Sequence, residues 1–333
     1  MAALLLLVAS ALLLFGTPAA AETFTPAFPE QAYAQHAKVQ AYIDELVAEQ
    51  GFSEAELVDL FEEARPQQKV LDAISRPAER VLQWHEYRKI FLTEKRIAQG
   101  VEFWQSHAQT LARAEQELGV AAEYLVAIIG VETFYGRHKG KYRVLDALAT
   151  LAFDYPPRAK FFRKELTEFL LLTREERFDA LSLVGSYAGA MGYGQFISSS
   201  MRAYAIDFDG DGQRDILTNP VDAIGSVANY FRRHGWRGDE YVLLPAALSD
   251  ASAAELVDTG LVLDHSVADL RAKGVYVASV AGADKAVLLR METTIGPQFW
   301  VGLNDYYAIT RYNHSPMYAL AVHQLAQSIK AAR

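Results

Sequence analysis

The sequence predicts an α+β fold that is mainly helical, with a small β-rich section near the C-terminus. As far as Trp236, apolar residues recur three and four positions apart, which is the spacing of one buried helix face. After Trp236, short apolar stretches are separated by glycines, a pattern typical of strands and tight turns. Helices followed by a separate group of strands indicate the α+β class.

The helices are predicted mainly in the first 236 residues. Helical spacing runs from residue 31 to residue 118, within a predicted N-terminal helical region of residues 22–118. The residues that interrupt it are Gly51, Pro66 and Pro77. Further helices are predicted over residues 123–135, 159–172, 199–206 and 221–234. The last of these has clear ends, because Asn219 and Pro220 precede it and Gly235 follows it.

The β-rich section is predicted over residues 239–310. Its strands are expected at residues 275–280, 286–291 and 306–310, and Gly274, Gly282 and Gly296 separate them. A short helix at residues 266–273 lies between the strands. A final amphipathic helix at residues 317–330 belongs to a C-terminal segment, residues 311–333, that is expected to pack back on the core.

Residues 1–21 resemble an export signal. The stretch 2–15 is almost unbroken Ala, Leu and Val, and Ala19 and Ala21 fit the small-x-small cleavage pattern, which places the cut before Glu22. The apolar run is short for a membrane span, which favours an export signal. No Lys or Arg precedes the run, whereas an export signal normally begins with a positively charged region. The sequence therefore predicts export to the periplasm, and the alternative is an uncleaved membrane anchor.

Composition excludes several classes of protein. The chain has 333 residues and no cysteine, which excludes thiolate metal sites, cysteine nucleophiles and a lipid-modified cysteine. The net charge of −9 argues against nucleic acid as a partner, because phosphate binding needs clustered Lys and Arg. The eight histidines form no H-E-x-x-H motif, which disfavours a zinc peptidase.

Glu132 is the carboxyl group that the local sequence singles out. It follows the apolar run 125–131 and precedes two aromatic residues. A carboxyl group among apolar side chains loses hydration, and this raises its pKa. Cleavage of a glycosidic bond needs an acid that is still protonated near neutral pH. Gly130 and Gly136 are expected to let a sugar chain approach the backbone.

The other interpretation of Glu132 is structural. A glutamate at a helix end commonly faces solvent or pairs with a nearby cation, which here would be Arg137 or Lys139. Local sequence alone does not decide between the two interpretations.

An acidic loop at residues 207–218 has the first half of an EF-hand calcium motif. Carboxylates at alternating positions can surround one hard cation, and a glycine allows the sharp bend. The second half departs from the motif, because Thr218 stands at the twelfth position. The predicted metal ligands are Asp207, Asp209, Asp211, Gln213 through its backbone carbonyl, and Asp215, with Asn219 and Asp222 as further candidates. One structural Ca²⁺ is expected and no catalytic cofactor, the alternative being an acidic turn without metal.

Four blocks of the sequence resemble the lytic murein transglycosylase B family. They are IIGVETFYGRHKGKYRVLDALATLAFDYPPRAKFF (128–162), GSYAGAMGYGQF (185–196), DFDGDGQRDILTNPVDAIGSVANYFRRHGW (207–236) and ITRYNHSPMYALAVHQLAQ (309–327). The resemblance implies a lysozyme-like core, with residues 119–238 as the catalytic region. It also implies cleavage of the β-1,4 bond between N-acetylmuramic acid and N-acetylglucosamine in peptidoglycan, leaving a 1,6-anhydromuramic end.

The resemblance assigns roles to individual residues. It makes Glu132 the acid, which then acts as base toward the muramoyl 6-hydroxyl. The implied substrate-binding residues are Ser186, Gln195, Arg158, Met191, Tyr193, Tyr230, Tyr312, Asn313 and Tyr318, with Phe196 beside Met191 and Tyr193 in a sugar-contacting wall. Arg158 matches one of two adjacent family arginines that would contact peptide or lactyl carboxylates, and Pro157 stands in place of the other.

Two other functions remain open from the sequence. A hydrolysing muramidase would need a second carboxylate and an activated water. A non-catalytic peptidoglycan-binding protein would bind the glycan strand without cleaving it. In each case the expected partners are peptidoglycan glycan strands and cell-wall synthesis proteins, and a monomer is expected.

Overall fold

The computed structural model describes residues 24–26, 31–75, 82–280 and 283–333. Contacts between the described residues divide them into two units, each built from separate parts of the chain. The first unit contains residues 82–137 and 221–333, and the second contains residues 24–75 and 138–220, within those described ranges. The predicted signal segment 1–21 and its cleavage site before Glu22 lie outside the described residues. Among the described helices, none has the length and apolarity needed to span a membrane.

The α-helices, in chain order, are α1 (Ala37–Gln50), α2 (Glu54–Glu63), α3 (Gln68–Ile74), α4 (Trp84–Phe91), α5 (Glu94–Ser106), α6 (Ala108–Leu118), α7 (Ala122–Thr133), α8 (Val144–Phe153), α9 (Ala159–Glu176), α10 (Ser198–Tyr204), α11 (Pro220–Arg233), α12 (Val267–Ala272), α13 (Asn304–Tyr312) and α14 (Pro316–Ala332). The strands are β1 (Tyr142–Arg143), β2 (Val184–Gly185), β3 (Leu243–Leu248), β4 (Val275–Tyr276), β5 (Val287–Thr293) and β6 (Gly296–Gly302). The predicted α+β class with a helical majority is confirmed.

The helices predicted from apolar spacing are present, with ends that differ by a few residues. Six helices, α1 to α6, occupy the predicted N-terminal helical region. Local capping explains several ends: the Ser53 hydroxyl accepts the Glu56 N–H at the start of α2, and Thr93 does the same for Arg96 at the start of α5. Gly51 ends α1 in the left-handed conformation, with φ of 64°.

The four strands of the β-rich section form one antiparallel sheet in the order β4-β3-β6-β5. The prediction of a strand at residues 306–310 was wrong, because this segment lies in α13. Tyr306 and Ile309, three positions apart, are both fully buried, so the buried pattern has helical periodicity. Strands β3 and β6 were not predicted: Pro245 lies within β3 and Pro297 at the start of β6, and proline is rare in strands.

The core of the first unit surrounds α7. Every residue from Ala122 to Val131 is buried, and α7 packs against both α5 and α14. Burial of each large aliphatic side chain contributes about 1.5–3 kcal/mol to stability. Helix α7 is therefore held on all sides, and it carries Glu132 near its C-terminal end.

In the second unit, α8 packs along α9, and a short β1–β2 pairing follows. Gly140 lies so close to Gly185 that an added Cβ atom would be 2.0 Å from the Gly185 carbonyl carbon. The Glu165 carboxylate on α9 accepts hydrogen bonds from the backbone N–H and the hydroxyl of Ser199 on α10. These contacts position the glycine-rich segment 185–196 and the start of the acidic loop.

Candidate active site

Glu132 is partly buried at the penultimate position of α7. Burial raises the pKa of its carboxyl group to about 7, and a hydrogen bond from Tyr318 acts in the opposite direction. The group is therefore half protonated near neutral pH. The structure agrees with the sequence-based argument that the apolar run would disfavour the ionised form.

The turn after Glu132 is conformationally demanding. Phe134 and Tyr135 both have left-handed backbones, with φ of 53° and 61°, a conformation that costs non-glycine residues about 1–3 kcal/mol each. Backbone hydrogen bonds from Phe134 N–H to the Gly130 carbonyl and from Tyr135 N–H to the Ile129 carbonyl hold it in place. Such strain in a turn next to a buried carboxyl group is typical of a functional site.

Gly130 leaves room for a residue of this turn. The prediction that it lets a sugar chain approach the backbone was therefore wrong. An added Cβ atom at Gly130 would be 2.6 Å from the Tyr135 hydroxyl oxygen, so the tyrosine side chain occupies that space. The Tyr135 hydroxyl donates to the Arg96 carbonyl oxygen at 2.8 Å.

Tyrosine side chains surround the acid. The Tyr318 hydroxyl donates to Oε1 of Glu132 at 2.6 Å, and Tyr318 is fully buried. Burial and the charge of Glu132 raise the pKa of both Tyr318 and Tyr312 well above the usual range. Tyr230 packs edge-on against Tyr312 at 4.8 Å between ring centroids, and its hydroxyl donates to the Arg311 carbonyl. Of the predicted residues, Tyr318 and Tyr312 interact with Glu132, and Tyr230 supports Tyr312.

Tyr87 on α4 is a further residue near the acid that was not predicted from the sequence. Its pKa is raised, first by burial and then by the charge of Glu132, so it too lies near the acid. Its hydroxyl oxygen is buried and has no hydrogen-bond partner among the described residues. The aromatic spacing of Trp84, Tyr87 and Phe91 is the pattern of a core-facing helix, and that pattern contains no signal of a site.

Asn313 ends α13, and it is buried, with 3% of its surface exposed. Its backbone N–H donates to the Ile309 carbonyl, and its own carbonyl accepts the Ser315 N–H at 2.7 Å. The residue therefore turns the chain from α13 into α14, which carries Tyr318.

The glycine-rich segment of the second unit presents Ser186 and Gln195. The Ser186 oxygen accepts the N–H groups of Ala188 and Ala190 at 3.2 and 3.0 Å. Its hydroxyl proton has no acceptor in the described part of the chain, so it can be donated to a ligand. Gln195 has a left-handed backbone, with φ of 51°, and its side-chain amide donates to the carbonyls of Gly192 and Lys139.

The predicted sugar-contacting wall is accessible at only one of its three residues. Met191 has no exposed surface and Phe196 only 3%, because the two residues pair in a β-bridge that turns both side chains into the unit. Tyr193 keeps partial exposure and has the Lys139 ammonium 4.7 Å from its ring centroid. Arg158 lies at the end of a short 3₁₀ turn and stacks on Phe161 at 4.3 Å.

The acidic loop has three carboxylates close together. Asp207, Asp209 and Asp211 can each offer one oxygen, and these oxygens lie within 4.8 Å of one another. Asp207 accepts backbone N–H groups of the loop, with that of Gly212 contributing most, and this lowers its pKa. Asn219 donates its side-chain amide to Asp209 at 2.7 Å. Three oxygen donors on a glycine-containing bend suit a hard cation such as Ca²⁺.

Two of the other predicted metal ligands, Gln213 and Asp215, lie differently. Asp215 accepts the N–H groups of Leu217 and Thr218 and does not belong to the group of carboxylates that lie together. The Gln213 side chain donates to the Glu176 carbonyl at 2.7 Å. Asp222 is fully buried in the first turn of α11.

Comparison with known proteins identifies relatives over nearly the whole chain. The family model described as Transglycosylase SLT domain matches residues 34–327. The membrane-bound lytic murein transglycosylase B of Escherichia coli (strain K12) is 44% identical over 312 residues, which cover 90% of this chain and 85% of that protein.

Solved structures agree with this relationship. The soluble lytic transglycosylase SltB1 from Pseudomonas aeruginosa superimposes with a TM-score of 0.86 at 55% identity, covering 89% of this chain and 99% of that one. The Escherichia coli lytic transglycosylase Slt35, solved in complex with calcium, gives 0.83 at 43% identity, covering 93% and 96%. SltB3 from Pseudomonas aeruginosa, solved with NAG-NAM-pentapeptide, gives 0.80 at 31% identity, covering 88% and 79%.

Proposed function

The chain belongs to the lytic murein transglycosylases with the SLT domain, and from this premise we propose that Glu132 is the acid and then the base of the reaction. The substrate is the peptidoglycan strand, cut at the β-1,4 bond between N-acetylmuramic acid and N-acetylglucosamine. The observation that carries the proposal is the pKa of about 7 of the Glu132 carboxyl group, which accepts a hydrogen bond from Tyr318.

In the first step the protonated Glu132 gives its proton to the glycosidic oxygen, and the bond from that oxygen to C1 of the muramoyl residue breaks. Tyr318 donates to Oε1, so the proton to be transferred is on Oε2. In the second step the Glu132 carboxylate removes the proton of the muramoyl 6-hydroxyl as that oxygen bonds to C1. The acid is restored, and the product has a 1,6-anhydromuramic end.

The causes of the pKa shift of Glu132 favour this scheme over a hydrolysing muramidase. A muramidase needs a second carboxylate to activate water or stabilise the intermediate. Burial and Tyr318 account for the shift of the Glu132 pKa, with no carboxylate contribution among the described residues. An internal hydroxyl nucleophile removes the need for a second group.

The residues of the second unit are proposed to bind the glycan. Ser186 has a hydroxyl proton to donate, Tyr193 offers an accessible ring, and Arg158 offers a guanidinium group toward carboxylates. Met191 is buried, so it would support the residues that contact the glycan and would not contact the sugar itself. Tyr312, Asn313 and Tyr318 belong to the C-terminal segment 311–333, which would add to the catalytic region of residues 119–238.

We also propose a structural calcium ion in the acidic loop. Asp207, Asp209 and Asp211 would hold it, with Asn219 and Asp222 as further ligands, and a relative has been solved in complex with calcium. The ion would neutralise the crowded carboxylates and fix the loop that leads into α11. The proposed location is the periplasm, reached through the signal segment 1–21.

Product analysis tests the function. Purified enzyme is incubated with bacterial cell-wall sacculi, and the soluble fragments are analysed by mass spectrometry. Anhydromuropeptides are expected, and fragments with reducing ends would indicate a muramidase. Absence of new fragments would indicate a non-catalytic binding protein. Glu132→Gln should release no fragments, and activity in this variant would refute the role given to Glu132.

A further inference from the structure

Three cationic side chains of the first unit surround the ring of Phe134. The guanidinium group of Arg96 lies 4.9 Å from the ring centroid, that of Arg137 lies 5.8 Å away, and the Lys95 ammonium lies 5.9 Å away. We call these three cations and the ring the Phe134 cluster. The outer two are near the limit of a cation–π contact, so the ring alone gives them little stabilisation.

The charges of the Phe134 cluster are not neutralised by carboxylates of the described residues. None of the three cations forms an ion pair with a carboxylate in the described ranges of the chain. Arg137 instead bonds to the side-chain oxygen of Gln99, at 3.1 and 2.5 Å when that amide is oriented for it. Neighbouring cations repel each other, and an anionic ligand would remove this repulsion.

Arg96 is the most unusual member of the cluster. Only 3% of its surface is exposed, and its guanidinium group also stacks on Phe91 at 5.1 Å. One nitrogen donates to the Ile90 carbonyl at 2.7 Å, while the buried Nε atom has no acceptor among the described residues. Burial lowers its pKa to about 10. Buried cations in proteins are normally paired, and this one has no carboxylate partner in the described residues.

The location of the cluster connects it with the reaction. Phe134 is two residues after Glu132, so their Cα atoms are at most about 7 Å apart. Burial and Tyr318 account for the pKa of Glu132, so the cluster does not serve to adjust the acid. A charged group carried by the sugar that binds at Glu132 would therefore be within reach of the Phe134 cluster.

We propose that the Phe134 cluster binds carboxylates carried by the muramoyl residue of the substrate, in the first place those of the stem peptide. This inference rests on the proposed function. Guanidinium and ammonium groups bind carboxylates through charge-assisted hydrogen bonds. Exposed Lys95 and Arg137 are open to a ligand, and buried Arg96 supplies a fixed positive field behind the ring.

The test compares three substrates in steady-state kinetics. The first is glycan strands with stem peptides, and the second is strands stripped by an amidase, which leaves a free lactyl carboxylate. The third is stripped strands whose lactyl carboxyl groups have been converted to methylamides, which carry no charge. The test variant is Lys95→Gln/Arg137→Gln, and the matched control is Arg271→Gln/Lys273→Gln, two exposed cations of the same unit.

For the test variant, KM for peptide-bearing strands should rise about 3- to 10-fold while kcat changes little, as expected for loss of solvent-exposed ion pairs. KM for the uncharged strands should stay unchanged, and the control variant should behave as the parent enzyme. Arg137→Lys should restore most of the loss, and 0.5 M salt should remove the difference between parent and variant. A rise in KM confined to stripped strands would identify the lactyl carboxylate as the group that is bound.

Equal effects on charged and uncharged strands, or no effect on any of them, would overturn the inference. If the double variant has a lowered melting temperature, the single variant Arg137→Gln of an exposed side chain decides the question. Failure of the parent enzyme to cleave any of the three substrates would contradict the proposed function instead.

Discussion

The hydroxyl group of Tyr318 on α14 donates a 2.6 Å hydrogen bond to Oε1 of Glu132 on α7. Two effects oppose each other at this carboxyl group. Burial favours the protonated form, and the hydrogen bond from Tyr318 favours the ionised form. The resulting pKa of about 7 suits a group that must first give a proton and then take one.

Tyr318→Phe should move the alkaline limb of the pH–rate profile upward. The hydrogen bond lowers the pKa of Glu132, so its loss raises that pKa, and the acid stays protonated to higher pH. The expected displacement is about one to two pH units, since hydrogen bonds to charged groups contribute roughly 1.5–3 kcal/mol. The measurement is kcat/KM from pH 5 to pH 9.

Tyr306→Phe is the matched control for this variant. Tyr306 is also fully buried in the first unit, and its hydroxyl donates to the Gly260 carbonyl. It should lower the melting temperature without moving the pH profile. A Tyr318→Phe profile that coincides with that of the parent enzyme would show that the hydroxyl does not affect the acid.

Glu132→Gln should make the protein more stable at alkaline pH while abolishing activity. The pKa of Glu132 is higher in the folded state, so its contribution to stability is fully present below its usual pKa and is lost as pH rises through about 7. Because the pKa rises from its usual 4.5 to about 7, the loss amounts to about 3 kcal/mol at pH 8. Glutamine does not ionise and avoids this loss.

The melting temperatures of Glu132→Gln and the parent enzyme should therefore differ little at pH 4.5 and clearly at pH 8. The control is Glu123→Gln on the same helix, where Glu123 forms an ion pair with Lys330 at 2.7 Å. That variant should lose stability and keep activity. A difference for Glu132→Gln that is the same at both pH values would argue against a raised pKa.

The helices and the acid were predictable because their signals are local. Apolar spacing, caps and the run before Glu132 all lie within a few residues of the feature they specify. The Tyr318 contact with Glu132 joins positions 186 residues apart. The family resemblance implied only that Tyr318 binds substrate, and its contact with Glu132 was not predicted. Tyr87, which lies outside the four resembling blocks, was not predicted at all.

The predictions from the sequence were wrong where the local preference for a secondary structure or an open space disagrees with tertiary packing. Residues 306–310 are rich in side chains that favour strands, yet burial of Tyr306 and Ile309 on one face selects a helix. Gly130 is a similar case, since a glycine beside an acid suggests room for a ligand. Only the structure shows that Tyr135, from the following turn, occupies that room.

Removal of calcium should destabilise the protein, because the proposed ion has a structural role and takes no part in the chemistry. A chelator in excess should lower the melting temperature, because a ligand present at a hundred times its Kd contributes about 2.7 kcal/mol. Asp209→Asn should abolish this response. Asp269→Asn, which alters an exposed aspartate that caps α12, should keep it. An unchanged melting temperature of the parent enzyme with chelator would contradict the calcium site.

Gly130→Ala should impair both folding and catalysis through the turn that follows Glu132. The added methyl group would be 2.6 Å from the Tyr135 hydroxyl oxygen and 2.7 Å from two ring carbons, so the ring must move. Overpacking of a core typically costs about 1–3 kcal/mol. The strained backbone at Phe134 and Tyr135 depends on that ring, and Glu132 would lose its fixed position.

Gly51→Ala provides the comparison for Gly130→Ala. Gly51 also has a left-handed backbone, with φ of 64°, but no atom lies within 4 Å of an added Cβ. It should cost about 1 kcal/mol from backbone strain alone and leave kcat unchanged. Gly130→Ala should instead lower kcat at least tenfold, a barrier increase of about 1.4 kcal/mol. Normal kcat in a Gly130→Ala enzyme that has lost stability would show that the turn supports the fold and does not position the acid.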